Sequence, residues 1–129
     1  MMQRFVIEGR LDGLNEYTAA CRAKAKGGAR LKRDNEARVR EAIRSAHLAP
    51  MSTPILVHIT WVEGMKEGAR RFVPRDKDNI RFAAKFILDA LVAEGVIADD
   101  GWRFVDGIAD TYRLNRSEPK VIVRLENLE

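Results

Sequence analysis

Cysteine, histidine and proline are scarce in this chain of 129 residues, which has one, two and four of them, and each scarcity excludes a class of protein. Cys21 alone cannot close an internal disulfide, which fits a reducing cytoplasm, and no histidine or acid accompanies it to make a reactive thiol. His47 and His58 stand too far apart and too poorly accompanied for a histidine-based site. There is no Cys-x-x-Cys pair, no glycine-rich phosphate loop and no nucleophile motif, so no organic cofactor is expected. No apolar run approaches the roughly 20 residues that span a bilayer. The opening MMQRFVIEGR lacks the apolar stretch of a secretory signal. A cytoplasmic location with no membrane partner is therefore expected, and the length fits one domain over 1–129.

Charge is modest in total but uneven. The net charge is +4, yet Arg22 to Arg44 holds nine basic residues against Asp34, Glu36 and Glu41, a local +6 that leaves −2 for the rest. Arg22, Lys24, Lys26, Arg30, Lys32 and Arg33 begin this stretch, followed by Arg38, Arg40 and Arg44. A basic stretch in a near-neutral domain suits a polyanion, with binding that weakens as salt rises. A solvated helix face explains the same pattern equally well.

Hydrophobic periodicity predicts the elements. Arg4–Glu8 reads as a strand stopped by Gly9, and 9–15 as a loop. Helix-prone sequence starts at Glu16, breaks at Gly27-Gly28 and resumes to Leu48, with Leu31, Val39, Ala42, Ile43 and Ala46 on one face. Pro54–Val62 alternates Ile55, Val57, Ile59 and Trp61 against Leu56, His58, Thr60 and Val62, which marks a central strand. Arg71–Val73 is expected to re-enter the sheet. A helix of about four turns then runs from a cap at Asp78 or Asn79 to Gly95, with Ile80, Ala84, Ile87, Leu88 and Leu91 as its core stripe. Strands follow around Trp102–Tyr112 and Lys120–Leu125. The order β-α-α-β-β-α-β-β implies an α+β domain, a mixed sheet covered by helices. Trp61 and Trp102 read as core or interface residues.

The chemistry gathers at Asp76-Lys77-Asp78-Asn79. In extended chain, residues i and i+2 project to one side about 7 Å apart, so Asp76 and Asp78 can both reach a cation between them. Mg²⁺, or Mn²⁺ in its place, is a hard ion that takes such carboxylates together with waters and phosphate oxygens. Asp100, before the turn at Gly101, is the expected third ligand. Such a cluster activates water and stabilises the leaving 3′-oxygen of a phosphodiester. Arg71, Arg75 and Lys77 flank the acids and attract the substrate phosphate. Lys85, two turns beyond Asp78, suits transition-state stabilisation, and equally an ion pair with Asp89. A helix cap and a turn account for the same aspartates, and spacing alone does not choose between them.

The stretch PRDKDNIRFAAKFILDALVAEGVIADDGWRFVDG resembles the RusA family of Holliday-junction resolvases. Asp76, Asp78 and Asn79 match the family's acidic-x-Asp-Asn motif, Asp89-Ala90-Leu91 its helix and Asp100 its final acid. Gly13-Leu14-Asn15-Glu16-Tyr17 looks like the family's N-terminal loop, which brings Asn15 to the DNA side. The resemblance implies a homodimeric, Mg²⁺-dependent endodeoxyribonuclease that nicks two opposed strands of a four-way junction, with Asp76, Asp78, Asp100 and Lys85 as catalytic residues. The basic helices would then grip the arms of the branched DNA through phosphates. One departure stands out. The family's lysine falls four residues after the second aspartate, where this chain has Phe82, so Lys85 aligns only across three extra residues and Arg81 competes for the role. A noncatalytic DNA-binding accessory protein of the same fold, and a nuclease acting on other branched DNA, are the alternatives.

Overall fold

A computed structural model describes residues 1–128. The chain runs β1 (Met2–Glu8), α1 (Leu14–Ala23), α2 (Gly27–Ser45), β2 (Ile55–Glu63), α3 (Lys77–Arg81), α4 (Ala84–Ala93), β3 (Val105–Leu114) and β4 (Lys120–Asn127). The strands form one mixed sheet in the order β1-β4-β2-β3. β4 pairs antiparallel with both β1 and β2, while β2 and β3 are parallel. This is the expected α+β domain, a mixed sheet with helices on one face.

The period-2 pattern of β2 sets the layers. Ile55, Val57, Ile59 and Trp61 point into the core beside Phe5, Ile7, Val121, Val123 and Leu125. Above them lie Val39 and Ile43 of α2 and Phe86, Ile87, Ala90 and Leu91 of α4. Fully burying one such side chain contributes about 1.5–3 kcal/mol. Leu56, His58, Thr60 and Val62 occupy the opposite face and are only half-buried, as expected where one side of an antiparallel region meets water. Among the described residues no helix is long and apolar enough to cross a membrane.

Three local expectations change. Arg71–Val73 does not join the sheet; it lies in a stretch without regular structure, and Val73 is 70% exposed. Pro74 closes this three-residue segment and has no N–H to give to a ladder. The expected four-turn helix is two helices, interrupted at Phe82-Ala83, so the three extra residues are absorbed as a break rather than as one more turn. Trp102 precedes β3 instead of entering it and is 98% exposed, which removes it from the core, whereas Trp61 is buried.

The glycine pair also acts differently from a simple breaker. Lys26 takes the left-handed conformation (φ 64°), and Gly27 and Gly28 are the opening turn of α2, buried against α1. A Cβ on Gly28 would collide with Cys21 Sγ, and one on Gly27 with the carbonyl of Ala20, so the α1–α2 crossing requires bare backbone. Gly13 is a similar close approach, facing the carbonyl oxygen of Asn79. Gly13→Ala is expected to destabilise the protein by about 1–3 kcal/mol, the typical cost of overpacking. Urea denaturation should show a lower midpoint at unchanged slope.

Candidate functional site

The site is built from the end of β2. The alternation that buries Ile55 through Trp61 also buries the next residue in phase, Glu63, at 4% exposure. A buried carboxylate requires a partner, and Arg75 supplies it. Arg75 Nε donates to Glu63 Oε2 at 2.8 Å and Nη2 to Oε1 at 2.8 Å. Its Nη1 donates to Glu16 Oε1 at 2.8 Å and to the Leu11 carbonyl at 2.9 Å. Glu16 Oε1 also accepts the Gly13 backbone N–H at the start of α1, and Arg10 approaches Glu63 at 3.8 Å. Burial alone would raise the Glu63 carboxyl, but the hydrogen bonds and charge of Arg75, with Arg10 behind them, carry it below its ordinary value of 4.5. Glu16 is likewise lowered against its burial, by the Gly13 N–H and Arg75. Arg75, expected on the DNA side, is thus consumed inside the protein.

Asp76 and Asp78 follow directly from this anchor. Asp76 is the N-cap of the five-residue α3, yet its side chain makes no cap hydrogen bond; only its carbonyl is engaged, by Ile80 N–H at 3.1 Å. Asp78 sits exposed in the first turn. Both carboxylates are therefore exposed and make no hydrogen bond among the described residues, so Asp76 holds the cap position without capping through its side chain. Asn79 is the opposite case. It is buried, and its Oδ1 accepts the Asn15 backbone N–H at 2.8 Å, tying α3 to α1.

Beside this pair lies a group of residues that sequence reasoning did not connect. Asp110 of β3 accepts Trp61 Nε1–H at 2.7 Å on one oxygen and Arg81 Nε–H at 2.6 Å on the other. Lys77 Nζ lies 5.5 Å from the centre of the Tyr112 ring. The Tyr112 hydroxyl is raised by burial, then by Asp110 and more weakly by Asp78, with Arg81 opposing them, so all these groups share one neighbourhood.

Asp100 does not join them. Its loop precedes β3, where the Phe104 carbonyl accepts Ile55 N–H at 3.0 Å, at the starting end of β2. Asp76 and Asp78 adjoin Glu63, at the finishing end. Nine residues of strand separate those ends, on the order of 25 Å. The physical reason is the crossover: β2 and β3 are parallel, so the helices between them must return the chain to the sheet's other end. Among the described residues, no group of three or more His, Cys, Asp or Glu is placed to hold a metal ion. One protomer thus offers two of the three expected carboxylates together.

Lys85 is also elsewhere. Its ammonium meets Asp89 at 3.4 Å, and Asp89 takes Lys32 at 3.3 Å, so both lysines belong to a cluster between α2 and α4. Lys32 further pairs with Glu36 at 3.8 Å, which removes it from the free DNA-facing cations. Arg40 and Arg44 bond Glu94, and Arg38 bonds the carbonyls of Glu8 and Arg10. Arg22, Lys24, Lys26, Arg30, Arg33 and Arg71 are exposed, with no ion pair or side-chain hydrogen bond among the described residues. Asn15 is exposed at the head of α1.

No protein-family model matches the chain, and no curated protein matches it.

Arg75→Met is expected to cost about 3–5 kcal/mol in urea denaturation, because it strands the buried Glu63 carboxylate. Glu63 and Glu16 are both lowered in the folded state, so their contribution is complete above the ordinary carboxylate range and is lost as pH falls through and below 4.5. Acid titration of the wild type should show that loss, and Arg75→Met should flatten it.

Proposed function

We propose that this chain is a divalent-metal-dependent endodeoxyribonuclease of the RusA type that resolves four-way DNA junctions as a homodimer. The observation that carries this reading is the pair Asp76 and Asp78: two exposed carboxylates, two residues apart, at a helix start where neither makes a cap hydrogen bond. They follow a backbone pinned by Arg75 and Glu63, so they are held in place without being used by the fold. The motif around them is the one on which the family resemblance rests.

The donors suit Mg²⁺, with Mn²⁺ as a substitute, because both ions prefer hard carboxylate oxygens. Such an ion, when bound, neutralises charge on a phosphodiester and lowers the pKa of water. Asp76 and Asp78 supply only half a ligand set. In a two-fold symmetric dimer the remaining carboxylate would be the partner subunit's Asp100, since its own lies a strand's length away. A C2 dimer also presents two equal sites to a substrate of approximate two-fold symmetry. The unpaired cations Arg22, Lys24, Lys26, Arg30, Arg33 and Arg71 would grip phosphates and recognise the shape of the junction rather than its bases.

A noncatalytic DNA-binding protein of the same fold is the second reading, favoured by the lack of a three-acid group among the described residues of one protomer. Incubation of a synthetic four-way junction with Mg²⁺ separates the two. The enzyme nicks it, and Asp78→Asn abolishes nicking while preserving binding, because removing an anion lessens repulsion of phosphate. A wild type that binds and never cuts is the accessory protein. Forked and flapped substrates in the same assay test for a broader branched-DNA nuclease. Replacing Arg30 and Arg33 by alanine should reduce the slope of log K against log salt by about 2. An unchanged slope would remove α2 from the DNA surface.

A further inference from the structure

We infer that Arg81, rather than Lys85, is the cation that meets the substrate phosphate beside Asp76 and Asp78, and that Asp110 is its positioning residue. The inference rests on the nuclease reading and names the contact through which that site would hold its substrate.

Two lines of geometry meet at Arg81. Asp78 and Arg81 are three residues apart on α3, so their side chains are neighbours on one face. Arg81 is then fixed from behind. Its Nε donates to Asp110 Oδ2 at 2.6 Å, while Asp110 Oδ1 accepts the indole N–H of the buried Trp61 at 2.7 Å. The Asp110 side chain is 12% exposed and cannot swing away, whereas Arg81 is 48% exposed. A guanidinium held at Nε keeps its plane, and its two terminal amino groups make no hydrogen bond among the described residues. They form the planar fork that matches two oxygens of a phosphate. Orientation is thus established before substrate arrives.

Lys85 has none of this. It lies beyond the break at Phe82-Ala83, is 60% exposed, and turns toward Asp89. Asp89 faces α2, where Lys32 and Glu36 complete a closed set of charges. The break between α3 and α4 therefore separates the two candidates: Arg81 stays with the aspartates and Lys85 goes to the helix interface.

The test combines cleavage with a readout that does not require cleavage. Arg81→Gln should lower the single-turnover rate on a synthetic four-way junction about 100-fold, the usual scale for losing one transition-state donor, with affinity changed far less. Arg81→Lys should fall between, since it retains charge but loses the fork. Arg124→Gln, which removes an equal charge from the uncovered face of the sheet, should cut at the wild-type rate. In NMR spectra of side-chain guanidinium groups, the Arg81 signal should shift when the junction is added. Asp110→Asn retains an acceptor for Trp61 but removes the charge that holds Arg81, so it should broaden that signal in the free protein and slow cutting about tenfold.

A greater loss of rate for Lys85→Gln than for Arg81→Gln overturns the inference, as does an Arg81 signal that ignores the junction. A wild type that binds but never cuts overturns the nuclease reading instead, and the Arg81 signal still decides the inference.

Discussion

The buried ion pair between Glu63 and Arg75 is the constraint on which the site depends. Glu63 is carried into the interior by the same alternation that builds the core, and burial without a partner would cost several kcal/mol. Arg75 answers with a bidentate contact, then uses its remaining donor on Glu16 and the Leu11 carbonyl. One guanidinium thereby joins the end of β2, the loop before α1, the first turn of α1 and the start of α3. The two exposed aspartates come directly after it in the chain. Their position is a consequence of how the fold neutralises Glu63.

The second constraint is topological. A parallel β2–β3 pair obliges the intervening helices to carry the chain from one end of the sheet to the other, and Asp100 is delivered to the end opposite Asp78. The proposed ligand set is therefore divided by the fold itself, which makes a symmetric partner a chemical requirement of the proposal. Division of labour among the cations has the same origin. Those near the helix interface, Lys32, Arg40 and Arg44, neutralise Asp89, Glu36 and Glu94 and hold α2 to α4. Those at the start of α2 and in the loop before α3 have no such duty.

Much of the fold was legible because it depends on period. The alternation of Ile55 to Trp61 marked the central strand, and Ile87 and Leu91 the helix above it. The same alternation, continued one step, would have placed Glu63 in the interior and signalled a buried partner such as Arg75. The role of Asp110 had no comparable signal: its contacts with Trp61 and Arg81 depend on the parallel register of β3, which no local pattern encodes. Lys85 misled for a related reason. Two turns of continuous helix would keep it on the Asp78 side, but the helix is interrupted at Phe82 and Ala83, and Lys85 pairs with Asp89. The Asp76-x-Asp78-Asn79 motif was visible as a motif, yet only the structure distinguishes its members. Two of the three acidic or amide side chains have no partner among the described residues, and Asn79 is committed to Asn15.

If a complete site takes carboxylates from two protomers, as proposed, mixing two inactive variants will reveal it. Asp78→Asn and Asp100→Asn homodimers should each fail to cut a four-way junction in Mg²⁺. After co-refolding, mixed dimers should regain one intact site and nick a single strand, because one protomer supplies Asp76 and Asp78 and the other Asp100. A mixture as inactive as its parents, in which mixed dimers are present, would contradict the account.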